Sequence, residues 1–176
     1  MIRYLILKAI INPKNYFCIY LNNDFSGKFV FFRYGIFIAL IGPVLSLYSL
    51  TTQSGYSLDK SLIYGIITYF MDLIVVVLFS IIISFLEKVS VDNVLKAYVL
   101  VNILIWFFDV FDIYQPLRIV TNVGFFYSFY LLWIGLGCLR INMKILFLVM
   151  HGIFYVVNAF LSEFMALNPL IRYFLK

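Results

Sequence analysis

The sequence predicts an all-α integral membrane protein, a bundle of five transmembrane helices preceded by a short amphipathic interfacial helix. Three observations carry this. Hydrophobic residues make up 65% of the 176 residues and mean hydropathy is +1.05, more apolar surface than a soluble core of this size can hide. Five apolar runs reach the roughly 20 residues that a helix needs to cross the hydrocarbon. Those runs are continuously apolar, without the two-residue alternation of a barrel strand.

At the N-terminus, "MIRYLILKAIINPKNYF" lacks the small-residue cleavage site of a signal peptide, and Lys8 interrupts its apolar stretch. It is expected to remain as mature structure. Tyrosine, leucine and isoleucine interleave there with Arg3 and Lys8 over residues 2–11, which predicts an amphipathic helix lying along the membrane surface. Asn12 followed by Pro13 reads as a cap and first turn, so a second short helix should start there and carry Tyr16, Phe17 and Tyr20 toward the bilayer before "NNDFSGK" closes it. The chain thus divides into an N-terminal amphipathic segment, residues 1–28, and a five-helix transmembrane domain, residues 29–176.

The spans are predicted at residues 30–50, 61–86, 91–111, 117–139 and 143–167, with breaks at "TTQSGYSLDK", "EKVSVDN", "DIYQP" and "RINMK". Loops this short make sequential neighbours antiparallel. Pro43 should kink the first span. Of the thirteen lysines and arginines, Arg3, Lys8, Lys14, Lys28, Arg33, Lys88, Lys96, Arg140 and Lys144 fall on the N-terminal side, so the positive-inside rule predicts a cytoplasmic N-terminus and an external C-terminus. The pI near 9.2 is therefore a topology signal; a nucleic-acid partner is not expected, because it would require a soluble basic face.

Polar residues inside the spans are the candidate functional groups. Asp72 stands near the middle of "YGIITYFMDLIVVVLFSIIISFL", where an ionised carboxylate costs about 2.5–3.5 kcal/mol on insertion scales. It needs a partner, a proton or water. Counted from the span ends, Asn102 and Asn158 lie at similar depth on two other helices, so the three are expected to meet as interhelical glue, with a proton- or ion-responsive Asp72 beside a wet cavity as the alternative. His151, the single histidine, is expected to be a satisfied packing residue, with a proton relay as its alternative. Asp109 and Asp112 lie one turn apart at the outer end of the third span, either as interfacial charges paired with Arg118 or water, or as a pair holding a cation; Glu163 belongs to the same class.

Gly42 with Ser46, and Ser80 with Ser84, form small-xxx-small faces for close helix contact. Cys18 and Cys138 fit no metal-ligand spacing and are expected to be free thiols in a reducing compartment. No metal and no cofactor are expected.

The chain has no Gly-x-Ser-x-Gly, no His-Glu-x-x-His, no phosphate-binding glycine loop and no Cys-x-x-Cys, so it is expected not to be an enzyme. Two functions remain. One is a non-catalytic polytopic membrane protein that works through partners, as a scaffold, an assembly or trafficking factor, or a small subunit of a larger membrane complex, in contact with lipid and with other membrane subunits or copies of itself. The alternative is a small channel or transporter using Asp72 and His151, which requires a polar pathway.

The stretches "INPKNYF", "YGIFIALIGPVLSLYS", "LKAYVLVNILIWFFDVFDIYQPL" and above all "FFYSFYLLWIGLGCL" resemble the Yip family of membrane proteins. The resemblance is most specific at Tyr127, Tyr130 and Gly135. It implies a five-helix bundle with a cytoplasmic N-terminus, and the short N-terminal segment resembles bacterial members, which implies a bacterial inner membrane. Eukaryotic members bind Rab-type GTPases through long N-terminal regions, and that partner is not carried over. The chain departs from the family pattern at Phe107, Phe108 and Asp109, where small residues are the rule.

Overall fold

The computed structural model describes residues 2–167, and all regular structure there is helical. Arg172, Lys176 and the side chain of Arg118 lie outside the described residues. Two short helices, α1 (Ile2–Ile11) and α2 (Pro13–Leu21), precede five long ones. These are α3 (Gly27–Thr52), α4 (Leu58–Glu87), α5 (Val91–Phe108, continued by a 3-10 turn over Asp109–Ile113), α6 (Arg118–Cys138) and α7 (Lys144–Leu167). Each of the five is long and apolar enough to cross a membrane. The end of the bundle that holds the start of α3 and the α4–α5 and α6–α7 loops is called the N-face below, and the opposite end the C-face.

Hydropathy explains the spans, and packing explains their order. Within its most apolar stretch α5 is 72% buried, against 22–39% for the other four, so α5 is the axis and the others surround it. α7 packs chiefly on α4 rather than on its sequence neighbour α6. Close approaches occur where glycine meets bulk. A Cβ at Gly124 would stand 2.6 Å from the Cβ of Phe108, and one at Gly65 would stand 3.2 Å from the carbonyl oxygen of Pro43. The bulky end of α5 is thus accommodated by glycine on α6. Within α3, a π-helical turn covers Phe31–Gly35, and the helix breaks at Ala39 and Leu40. Pro43 lies four residues beyond Ala39 and has no N–H to offer its carbonyl, which is the physical origin of the kink expected there.

At the N-face, carboxylates from neighbouring elements cap helix starts, where unpaired N–H groups and the helix dipole favour negative charge. Asp92 accepts from the Gly27 and Lys28 N–H groups at 2.8 and 3.2 Å. Glu87 accepts from Met143 N–H at 2.9 Å and from Asn142 N–H at 3.2 Å, just ahead of α7.

The α1–α2 pair packs along the flank of α5 and α6, from the N-face toward mid-span. Its contact surface on α6 is the tyrosine and glycine stretch noted in the sequence: Tyr127 donates to the Ile10 carbonyl at 2.9 Å, Tyr130 packs on Tyr127 with ring centroids 5.6 Å apart, and Phe17 sits over Gly135, where a Cβ would come within 2.8 Å of the ring. On α5 the anchor is Lys96, only 1% exposed. Its ammonium donates to the carbonyls of Leu21 at 2.9 Å and Asn23 at 2.6 Å and lies 3.9 Å from the centroid of the Phe25 ring. In return Tyr20 donates to the Lys96 carbonyl at 3.0 Å, and burial pushes its phenol pKa well above the ordinary value, so it stays a neutral donor.

One expectation is corrected here. Cys18 and Cys138 are joined by a disulfide, with their Cα atoms 5.3 Å apart, and are not free thiols. The 120-residue separation hides the pair in the sequence; the seating of Phe17 on Gly135 brings the next residue of α2 onto the last turn of α6. A Cys18→Ser, Cys138→Ser variant should melt several degrees below the parent in detergent, since closing a loop this long is worth up to about 4.7 kcal/mol in the chain-entropy picture. Identical melting of the parent with and without reductant would contradict this.

Candidate functional site

A cavity of about 510 Å³ extends from the C-face past the middle of the bundle, and all five spans line it. Each wall is a stripe of polar or aromatic residues repeated at three or four positions, which puts them on one helix face. On α4 the stripe is Tyr64, Thr68 and Asp72; on α5 it is Tyr98, Asn102, Trp106 and Asp109; on α7 it is His151, Tyr155 and Asn158. Gly42 and Ser46 of α3 and Thr121 and Asn122 of α6 complete the rim side.

Asp72 is half-buried midway along α4, about 21 Å from its C-face start at 1.5 Å per residue. The Asn158 amide, across from it on α7, donates to its carboxyl, and the Trp106 indole of α5 supplies a second hydrogen bond. Of the two expected amide partners, the structure brings only Asn158 to Asp72. Asn102 lines the same cavity but donates at 2.8 Å to the Tyr98 carbonyl one turn back on its own helix. Thr68, one turn from Asp72, has a buried hydroxyl with no hydrogen-bond partner among the described residues.

His151 closes the floor. Its Nδ1 lies 2.8 Å from the Tyr98 hydroxyl and its Nε2 lies 2.8 Å from Ser128 Oγ. Ser128 donates its single proton to the Phe125 carbonyl, so Nε2–H donates to Ser128. Both ring nitrogens are hydrogen-bonded. Beneath it, Phe79 stacks on Tyr98 at 4.0 Å and meets Phe147 edge-on at 6.2 Å, and Val76, Ile83 and Leu100 are fully buried. The polar cavity therefore passes mid-bundle and ends on an apolar plug, about 10 Å from the N-face starts of α5 and α7.

The rim carries the two outer carboxylates. Asp112 accepts from Thr121 at 3.0 Å and from Ser46 at 3.4 Å. Asp109 packs on Gly42, where a Cβ would stand 2.7 Å from its Oδ2. The small face of Gly42 and Ser46 thus meets the acidic end of α5. Ser80 and Ser84 instead turn their hydroxyls to backbone carbonyls of Val76 and Val89, and Glu163 is exposed. Among the described residues no group of three or more His, Cys, Asp or Glu has the arrangement of a metal site.

Sequence reasoning missed Tyr64, Thr68, Tyr98, Trp106, Tyr155 and the buried role of Lys96. A signal existed for the first five: each is spaced three or four residues from a polar residue that was singled out or from another member of its stripe. Compared with known proteins, the chain matches no family model, no curated protein and no solved structure.

Proposed function

We propose that this polytopic membrane protein binds a small ammonium-bearing solute in the C-face cavity and belongs to the transporter class. The observation that carries the reading is a cavity of about 510 Å³ that holds a mid-span carboxyl, Asp72, between aromatic walls from Trp106, Tyr64, Tyr98 and Tyr155. An ionised carboxylate at such depth is stabilised by a counter-charge. An ammonium group supplies it, and aromatic faces attract the same group. The N–H donors of such a solute also fit the acceptors that Asn158 and Trp106 leave on Asp72, and the unpartnered Thr68 hydroxyl offers a further contact. A purely partner-mediated scaffold has no use for this space. The plug of Phe79, Phe147 and Leu100 corresponds to one closed side of an alternating pathway.

Two parts of the sequence reading belong to this proposal. The surface on which the Yip resemblance is most specific, Tyr127 to Gly135, is the one that docks the N-terminal helices, which supports grouping the chain with short Yip-like proteins and treating it as non-enzymatic. The positive-inside bias supports a cytoplasmic N-face in a bacterial inner membrane and a cavity that opens externally, whereas the Cys18–Cys138 disulfide at the same face is a bond that an oxidising compartment favours. A reporter within "EKVSVDN" should read as cytoplasmic and one after Lys176 as external; agreement of the two on one side would refute that orientation.

Binding is tested by thermal melting of the purified full chain with choline, ethanolamine and putrescine against acetate and glucose. At least one amine should raise the melting temperature saturably, and acetate and glucose should not. Equal effects of acetate, or no effect of any amine, would overturn the proposal and leave the partner-mediated reading in its place.

A further inference from the structure

A second depression, about 780 Å³, lies between α1, α3 and α5. Its walls are apolar: Leu7 and Ile10 from α1, Phe37 from α3, and Leu104 and Phe107 from α5 line it. Among the described residues, the charged ones that line it are Arg3 and Arg33. Both are exposed, and among the described residues neither guanidinium has a hydrogen bond or an ion pair. Arg33 stands six residues into α3, about 9 Å from its N-face start, a depth at which a guanidinium meets lipid phosphates and glycerol esters. Two like charges sharing one groove repel unless an anion bridges them. Guanidinium groups hold phosphate in a two-pronged grip, and basic pockets between transmembrane helices on the positive side take anionic headgroups.

We propose that this groove binds an anionic phospholipid, with the phosphate bridging Arg3 and Arg33 and one acyl chain lying along Phe37, Leu104 and Phe107. The occupant is a lipid rather than free phosphate because everything beyond the arginines is apolar and faces the membrane. The site also explains why α1 turns Leu7, 55% exposed, outward: lipid completes the surface that the bundle leaves open. It is independent of the solute cavity.

The test is native mass spectrometry of the full chain in mild detergent with phosphatidylglycerol and phosphatidylcholine at equal concentration. Phosphatidylglycerol should remain bound at least tenfold more than phosphatidylcholine. Arg3→Gln with Arg33→Gln should remove that preference, and Arg33→Lys, which keeps charge and fold but loses the two-pronged contact, should reduce it several-fold. Lys88→Asn with Arg140→Asn, on the same face but outside the groove, should leave it within threefold. Equal retention of the two lipids, an equal loss in the Lys88, Arg140 variant, unchanged preference in Arg33→Lys, or displacement by excess inorganic phosphate would each overturn the proposal.

Discussion

Asp72→Asn is expected to weaken amine binding by at least about 30-fold while the protein melts within a degree or two of the parent. The amide keeps the shape of the carboxyl and a carbonyl oxygen for the Asn158 and Trp106 donors, so the contacts among α4, α5 and α7 survive. It lacks the negative charge, and truncating one member of a desolvated charge pair costs about 2–5 kcal/mol, or roughly 30- to several-thousand-fold in affinity. Asp72→Leu should act differently, lowering stability by about 1–2 kcal/mol because the Asn158 amide then has no acceptor. Calorimetric titration with the amine that binds the parent, beside melting curves for both variants, separates these effects. Parent-like affinity in Asp72→Asn would show that the carboxyl is glue alone.

Lys96→Met should be the most destabilising single exchange at the N-face, by about 3 kcal/mol. Methionine keeps the buried stem but leaves the carbonyls of Leu21 and Asn23 without their donor, and each lost hydrogen bond to a charged group is worth about 1.5–3 kcal/mol. Part of that loss is recovered because the ammonium no longer has to be kept out of water. The contact with the Phe25 ring is lost as well. Since the loop from Leu21 to Phe25 ties α2 to the start of α3, its release should also expose the α1–α2 pair to limited proteolysis. Parent-like melting together with an uncut N-terminus would contradict the role assigned to Lys96.

The spans were readable because hydropathy is a local property. The expected first span, 30–50, falls inside Gly27–Thr52, and the expected second, 61–86, falls inside Leu58–Glu87. Caps account for the differences at the ends: Ser26 and Asp92 extend α3 backward to Gly27, and these are contacts no hydropathy window sees. The position of Asp72 opposite Asn158 also followed from counting depth. Asn102 did not follow, because depth says nothing of rotation about the helix axis, and its amide finds a nearer acceptor one turn back. The disulfide, the buried Lys96 and the floor made by Tyr98, His151 and Ser128 depend on which helix lies beside which. That order is set by α5 serving as the axis and by the pairing of Gly124, Gly135 and Gly42 with Phe108, Phe17 and Asp109, and no single span carries it.

A polar cavity open to water at the C-face and shut by the plug toward the N-face is tested most directly by single cysteines exposed to a membrane-impermeant trimethylammonium thiosulfonate added from the C-face. The native cysteines are already paired with each other and do not react. Thr68→Cys, in the cavity wall, should be modified rapidly and should be protected by the amine that stabilises the parent, whereas Ile83→Cys, buried below the plug, should stay unmodified. An unreactive Thr68→Cys in a protein that melts like the parent would contradict the account.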